Sequence, residues 1–176
     1  LEGTDCEISG SIEATVVKDY TSCGGTITIT YNGKDLCERD LVAGPYVINV
    51  DPAPMAEVTA PEFSDKIACS DAAGFAADDA SYTNGLTGLC EISGSIEATV
   101  VKDYTSCGGT ITVTYNGVDV CQNPLSAGPF VIDVDPAPMA DVSAPEFPTN
   151  VMCSDAAGFA ADDATYSNGL EGTDCE

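Results

Sequence analysis

Cysteine and acidic side chains are the groups whose number and spacing could carry chemistry in this chain. Its 176 residues include nine Cys and no His, with 29 Asp and Glu against five Lys and Arg. Because no Cys-x-x-Cys pair occurs and His is absent, the cysteines favour disulfide bonds over a zinc site. Carboxylate oxygens suit calcium, and the acidic sequence ADDA occurs twice.

The candidate calcium ligands are carboxylates placed near joints between predicted β-domains. A hard cation there would stiffen the connection between two domains. The alternative is a solvated acidic surface, and no EF-hand spacing supports the metal. We expect no resident cofactor, with calcium as the alternative. The candidates are Asp51, Asp78, Asp79, Asp135, Asp162 and Asp163.

Composition excludes several classes of function. The formal charge of −24 repels phosphate groups, so we expect neither nucleic-acid binding nor docking on an anionic membrane. No apolar run approaches the roughly 20 residues of a membrane-spanning helix. Without His, neither Ser nor Cys has the usual base, and adjacent Asp residues on a strand point to opposite faces. We expect no enzymatic activity.

An internal repeat organises the whole sequence. CEISGSIEATVVKDYTSCGGTIT occurs twice, and the first copy opens at Cys6 and the second at Cys90, a spacing of 84 (90 minus 6). The final EGTDCE repeats residues 2–7. We expect the chain to be a window of a longer tandem array with four cysteines per copy, in which Cys175 opens a third copy.

Each copy has the alternating pattern of β-strands. In the run TITVTY at 110–115, Thr residues alternate with apolar residues, as in a strand with one buried face. A hairpin around the YTSCGG turn that places Val100 opposite Ile111 collects the apolar side chains on one face. Extended further, the same register places Cys90 opposite Cys121. The pattern predicts an all-β fold.

This register predicts the disulfides Cys90–Cys121 and, by repetition, Cys6–Cys37. Cys107 lies at the turn end of its hairpin, so its partner is expected in the strand around IACS or VMCS. The pairing is Cys69–Cys107 if the domain boundary falls in the proline-rich segment. It is Cys107–Cys153, with Cys23–Cys69 in the first copy, if the boundary falls elsewhere.

Two proline-rich segments are the preferred domain linkers. They are 51–61 (DPAPMAEVTAP) and its copy 135–145, where proline stiffens the chain and cannot donate to a sheet. This boundary predicts a complete domain at 52–135, flanked by the C-terminal part of one domain (1–51) and the N-terminal part of the next (136–176). The alternative boundary, at the NGLTG turn, gives 1–86 and 87–170.

These motifs together resemble a known family. The succession of YTNGLTGLCEISGS, a Cys-Gly-Gly-Thr strand start, a cysteine after TITVTY, and VDPAPMA is similar to the HYR-like, immunoglobulin-related repeats of large Bacteroidota surface adhesins and gliding-associated proteins. The sequence departs from that pattern at 120–124 (VCQNP). The resemblance covers essentially the whole chain and implies tandem, disulfide-stapled Ig-like β-sandwiches of about 84 residues, exported to the cell surface.

Three functions follow as hypotheses. The first is a structural segment of a long extracellular fibre, filament or adhesin stalk, whose partners are neighbouring copies of the same array. The second is a module that binds surface glycans or another ligand through its acidic face or its Thr rows (26–30 and 110–114). The third is an assembly in which a strand of one chain completes a sheet in another.

Overall fold

Strands predominate in the protein, which confirms the prediction of an all-β fold. The computed structural model describes residues 8–170 and Cys175. The helical elements are two short helices, α1 (Cys69–Ala72) and α2 (Cys153–Ala156), and a 3-10 turn at Gly88–Cys90. The strands are β1 (Ala14–Thr21), β2 (Gly24–Lys34), β3 (Asp40–Val50), β4 (Glu57–Thr59), β5 (Lys66–Ile67), β6 (Ala80–Thr83), β7 (Ser93–Ile96), β8 (Ala98–Thr105), β9 (Gly108–Val118), β10 (Pro124–Val134), β11 (Asp141–Ser143) and β12 (Thr165–Ser167).

The chain divides into two compact units, each of which draws residues from both sequence copies. Unit 1 comprises Leu1–Ala60, Ala80–Ile96 and Asn116–Ala127. Unit 2 comprises Pro61–Asp79, Glu97–Tyr115 and Gly128–Glu176. The predicted domain of 52–135 stays a prediction.

Unit 1 contains two three-stranded sheets. One has the order β1-β2-β3, and the other has the order β4-β6-β7. The loop between β6 and β7 is fixed by Asn84, whose side-chain oxygen accepts the backbone N–H of Leu86 and of Ile92, both at 3.1 Å. The Asn84 side-chain amide donates to the Cys90 carbonyl at 2.9 Å. One amide side chain therefore holds both ends of this loop.

Unit 2 contains most of a four-stranded sheet of order β5-β10-β9-β8, together with the β11-β12 pair. The short strand β5 runs parallel to β10, with Lys66 opposite Asp133 and Ile67 opposite Val134. The β8–β9 hairpin repeats the β1–β2 hairpin residue for residue, since Ala98 faces Tyr115 as Ala14 faces Tyr31. Two stretches of similar sequence therefore form the same meander.

The predicted register of the hairpin was wrong by two residues, although the buried face was predicted correctly. Val100 faces Val113, not Ile111, because the turn is centred between Ser106 and Cys107. The following Gly108 has a φ of +95°, and a Cβ at this position would lie 2.8 Å from the Val134 carbonyl oxygen. Only glycine fits this turn, so the turn sits one residue later than the symmetric pattern suggested.

A shift of two residues leaves each side chain on the same face of the strand. Accordingly Ile111, Val113 and Tyr115 are all fully buried, while the alternating threonines are half-buried. On the neighbouring strand β10, Ile132 and Val134 are also buried. With Cys69, Ala72 and Cys175, these five side chains form the core of unit 2. The buried hydrophobic side chains of unit 1 are Ala80, Tyr82, Ile92, Ile96 and Leu125.

Candidate functional site: disulfide bridges and an uncovered sheet

One disulfide joins Cys23 to Cys121, whose Cα atoms are 5.2 Å apart. Cys23 lies in the β1–β2 turn of the first copy, and Cys121 lies in the β9–β10 turn of the second copy. The buried hydroxyl of Ser22 lies 3.9 Å from the Cys121 sulfur. The bridge therefore connects two turns from different copies of the repeat.

The turn that carries Cys121 is built by the buried carboxylate of Asp119. This carboxylate accepts the backbone N–H groups of Cys121 at 2.8 Å and Asn123 at 2.9 Å, and the Asn123 side-chain amide at 2.9 Å. These hydrogen bonds, with that of the Asn123 side chain the largest, hold the pKa of Asp119 below its usual value. Sequence analysis missed Asp119, although an Asp two residues before a cysteine is typical of an Asx turn.

The equivalent turn of the first copy uses a different partner. Asp35 accepts the backbone N–H groups of Cys37 and Arg39, and the Arg39 guanidinium donates to it at 2.6 Å. The hydrogen bond from the Arg39 backbone is the main reason why the pKa of Asp35 is lowered. The two turns therefore present Cys37 and Cys121 in the same backbone setting.

The second disulfide joins Cys69 to Cys175, with Cα atoms 5.9 Å apart. Cys69 opens the short helix α1 and is buried, and its sulfur lies 3.8 Å from the carbonyl oxygen of Thr105 in β8. Cys175 belongs to the EGTDCE sequence that resembles the start of a further copy. Both bridges therefore join cysteines from different copies.

The predicted pairing Cys90–Cys121 was wrong, because Cys121 is bonded to Cys23 and Cys90 carries a free thiol. The prediction extended the β8–β9 hairpin back through Glu97. Instead β7 ends at Ile96 and pairs with β6, so residue 90 is not opposite residue 121. For Cys6–Cys37, Cys6 lies outside the described residues, and Cys37 carries an exposed free thiol.

The pairings expected for Cys107 were also wrong. In place of Cys69–Cys107 the structure has Cys69–Cys175, which leaves Cys107 free. Both alternatives, Cys23–Cys69 and Cys107–Cys153, are excluded for the same reason, because Cys23 and Cys69 have other partners and Cys153 is free. The Cys69 sulfur does lie close to the β8–β9 turn that carries Cys107, but its disulfide partner is Cys175.

Four described cysteines carry free thiols. Cys37, Cys107 and Cys153 are exposed, and Cys90 is half-buried. Cys37 belongs to the first copy and the other three to the second, and no two of these four are bonded to each other within the chain.

The six candidate calcium ligands are all exposed and do not form one site. Across residues 8–170, no group of three or more acidic or cysteine side chains converges as a metal site would require. Asp135 lies 3.8 Å from the Lys66 ammonium group, and the backbone carbonyl of Asp78 accepts the Tyr115 hydroxyl at 2.8 Å. The Asp135 carboxylate therefore takes part in a surface ion pair, and Asp78 takes part in a hydrogen bond through its backbone carbonyl.

The same apolar face is covered in one copy and uncovered in the other. Ile132 of β10 is 2% exposed, whereas its counterpart Ile48 of β3 is 50% exposed. Likewise Ile111 and Tyr115 are fully buried, while their counterparts Ile27 and Tyr31 are only half-buried. The sequences match, so the difference lies in what packs on each sheet.

In unit 2 the covering segment is 61–79. Phe63 packs on Phe130 with ring centroids 5.4 Å apart, and the Lys102 ammonium donates to the Ala73 carbonyl at 2.7 Å. The counterpart segment, 145–163, has exposed apolar side chains, and Phe147 and Phe159 are each 52% exposed. The sheet β1–β3 and the segment 145–163 therefore both have exposed apolar side chains at positions whose counterparts pack together in unit 2.

No family model, curated protein or solved structure matches this chain. The resemblance to HYR-like repeats therefore stays a prediction. Among the described residues, no helix is long and apolar enough to cross a membrane. The two disulfides indicate an oxidising, non-cytoplasmic environment.

Proposed function

We propose that this chain is a structural segment of a long extracellular fibre or adhesin stalk, built from tandem Ig-like β-sandwich domains. The observation that carries the proposal is that both disulfides join cysteines of different sequence copies, Cys23 with Cys121 and Cys69 with Cys175. If disulfides were needed only to stabilise each domain, bonds within the domain would be sufficient. Covalent bonds between different copies instead cross-link the copies, so that a pull on the chain is carried by short covalent routes across folded domains, which suits a load-bearing thread.

The two covalent loops overlap along the sequence. They span 98 and 106 residues, and the second begins inside the first. Loops of this length each stabilise a folded state by about 4–5 kcal/mol through restriction of the unfolded chain. Because they overlap, a tensile load has two covalent routes through the segment between Cys23 and Cys175.

The proline-rich linkers are fixed to the preceding hairpin turns, which supports a semi-rigid joint between domains. The Ala53 N–H donates to the Ser22 carbonyl at 2.8 Å, and the Ala137 N–H donates to the Ser106 carbonyl at 2.9 Å. The same contact occurs in both copies. A linker held in this way limits the angles that successive domains can adopt.

The preferred domain of 52–135 agrees with the distribution of buried residues. Apart from Cys175, the described buried hydrophobic residues fall between Cys69 and Val134. The sheets β4-β6-β7 and β5-β10-β9-β8 are also formed from strands within this range.

Immunogold electron microscopy of intact producing cells tests the proposed function. Antibodies raised against the purified chain should label thin threads outside the cell, with regularly spaced gold particles along each thread. Brief treatment of the cells with an external protease should remove the label. Label confined to the cell interior, or label that survives the protease, would contradict an extracellular fibre.

A further inference from the structure

We propose that a cavity in unit 2 binds a small organic cation that carries an alkylammonium group. The cavity lies between the segment 61–79 and strand β10, and its volume is about 270 Å³. Pockets for drug-sized ligands have volumes of about 300–1,000 Å³, so this cavity suits a small ion. All of its lining residues belong to unit 2. The inference goes beyond the proposed fibre and does not depend on it.

Two half-buried phenylalanine rings line the cavity. The ring centroids of Phe63 and Phe75 are 6.4 Å apart, and the two ring planes make an angle of 53°. A cation is attracted to the face of an aromatic ring when it lies within about 6 Å of the ring centroid. Because the two centroids are separated by less than twice this distance, one ammonium group can interact with both rings at once.

The charged residues of the cavity favour a positive ligand. Glu62, Asp78 and Lys66 are among the lining residues, and all three are exposed. The Lys66 ammonium group lies 3.8 Å from the Asp135 carboxylate, which offsets its charge. Within the part of the chain that the structure describes, neither Glu62 nor Asp78 forms an ion pair. Two carboxylates are therefore available to a cation, in a chain whose formal charge of −24 attracts cations to its surface.

The lining residues favour an organic cation over a metal ion. Calcium takes about six to eight oxygen ligands, and across residues 8–170 no three acidic or cysteine side chains converge. The cavity has apolar side chains instead, since Ile132 is 2% exposed and Ile67 is half-buried. An alkylammonium ion carries both a positive charge and apolar carbon groups, so it matches the carboxylates and the apolar side chains together.

The segment that lines the cavity is held to the sheet on both sides. At one side the Asp135 N–H donates to the Ile67 carbonyl at 2.9 Å. At the other side the Tyr115 hydroxyl donates to the Asp78 carbonyl at 2.8 Å. The cavity is therefore formed before a ligand arrives, so that little free energy is lost in ordering the protein on binding.

Choline and the neutral alcohol in which carbon replaces its nitrogen test the requirement for charge. The purified chain, with isotope-labelled isoleucine methyl groups, is titrated with each compound at low ionic strength and followed by NMR. Choline should shift the methyl signals of Ile67 and Ile132, which line the cavity, and should leave that of Ile48 unchanged. The dissociation constant of the neutral alcohol should be at least about 10-fold larger than that of choline.

A matched pair of variants tests the aromatic contribution. Phe75→Leu keeps an apolar side chain but removes the aromatic face, so the affinity for choline should fall at least about 5-fold, and the affinity for the neutral alcohol should stay within about 2-fold. Phe159 is the counterpart of Phe75 in the second copy and does not line the cavity. Phe159→Leu should therefore leave both affinities unchanged. The methyl spectrum without ligand shows whether each variant is folded.

A second matched pair tests the carboxylates. Glu62→Gln with Asp78→Asn should lower the affinity for choline at least about 3-fold and should reduce the weakening of binding by added salt. The same changes at the counterpart positions, Glu146→Gln with Asp162→Asn, should have no effect, since neither residue lines the cavity.

Four results would overturn the inference: no saturable shift with choline, equal affinities for choline and the neutral alcohol, equal effects of the paired variants, or shifts that include Ile48. Shifts of the same cavity signals by glucose, in place of choline, would assign the cavity to a neutral sugar and would also overturn it. These results are independent of the immunogold experiment. Surface threads whose chain does not bind choline would refute only the cation site, and choline binding by a chain confined to the cell interior would refute only the fibre.

Discussion

Overlap of the two covalent loops predicts an unusual response to stretching. Consider the chain tethered at its two ends and pulled until it is unfolded, with the free thiols alkylated. The shortest covalent route from Cys23 to Cys175 follows the 46 positions to Cys69 (69 minus 23) and crosses one bridge. The other route crosses from Cys23 to Cys121 and follows 54 positions (175 minus 121).

Each single bridge is therefore nearly dispensable for the final length. Removal of Cys23–Cys121 by Cys121→Ser leaves the shorter route intact, so the stretched length should not change. Removal of Cys69–Cys175 by Cys69→Ser forces the load onto the other route, which is about eight residues longer, or about 27 Å. Removal of both bridges frees a difference of 106 residues, which is about 360 Å of extended chain.

Single-molecule force spectroscopy measures these lengths directly. The stretched length should not increase in Cys121→Ser, should increase by about 27 Å in Cys69→Ser, and should increase by about 360 Å in the double variant. The increase in the double variant is therefore far larger than the sum of the two single increases. Treatment of the unmodified chain with a reducing agent should reproduce the double variant. If either single variant lengthens by about 100 residues, or if the two increases add, the loops do not overlap and the reasoning is refuted.

Three further predictions concern stability. Ile132→Ala should lower the free energy of unfolding by about 2–5 kcal/mol, and the uncovered counterpart Ile48→Ala by less than about 1 kcal/mol, in chemical denaturation; equal losses would contradict the difference in burial. Burial, with the nearby Asp78 and Asp79 carboxylates, raises the pKa of Tyr115, so its contribution is complete below about pH 10 and is lost as pH rises through the folded-state pKa. Tyr115→Phe should cost about 1 kcal/mol at pH 8 and remove part of the alkaline loss seen by thermal melting, whereas an unchanged alkaline profile would refute this assignment. Because the pKa of Asp119 is lowered on folding, its contribution to stability is complete above about pH 4 and is lost as pH falls through the folded-state pKa. Asp119→Asn should therefore have a lower melting temperature at pH 7, and its melting temperature should fall less between pH 5 and pH 2 than that of the unmodified chain. Equal falls in the two proteins would count against this assignment.

The alternation of residues in TITVTY was enough to predict the strand and its buried face. Ile111, Val113 and Tyr115 are fully buried, as a period of two requires. The centre of the turn was harder to predict, since it depends on the close approach of Gly108 to the Val134 carbonyl from another strand. A contact between distant residues is not visible in the pattern of one hairpin.

The disulfide partners could not be predicted for a different reason. Every cysteine of one copy has a counterpart in the next, so a bridge within a copy and a bridge between copies use the same types of turn. The choice was decided at Glu97, where the strand before it turns away to pair with β6. Nothing in the residues around Glu97 marks that change of sheet. The acidic pairs failed as a metal site because exposed, adjacent carboxylates do not converge.

The bridges themselves are the most direct test of repeat copies that are cross-linked to one another. The oxidised chain is alkylated, cleaved before aspartate and analysed by mass spectrometry without reduction. We expect two linked peptide pairs, one joining 19–34 (Cys23) to 119–132 (Cys121) and the other joining 65–70 (Cys69) to 174–176 (Cys175). Peptide 119–132 linked instead to 79–102, which carries Cys90, would confine the bridge to one copy and contradict the account.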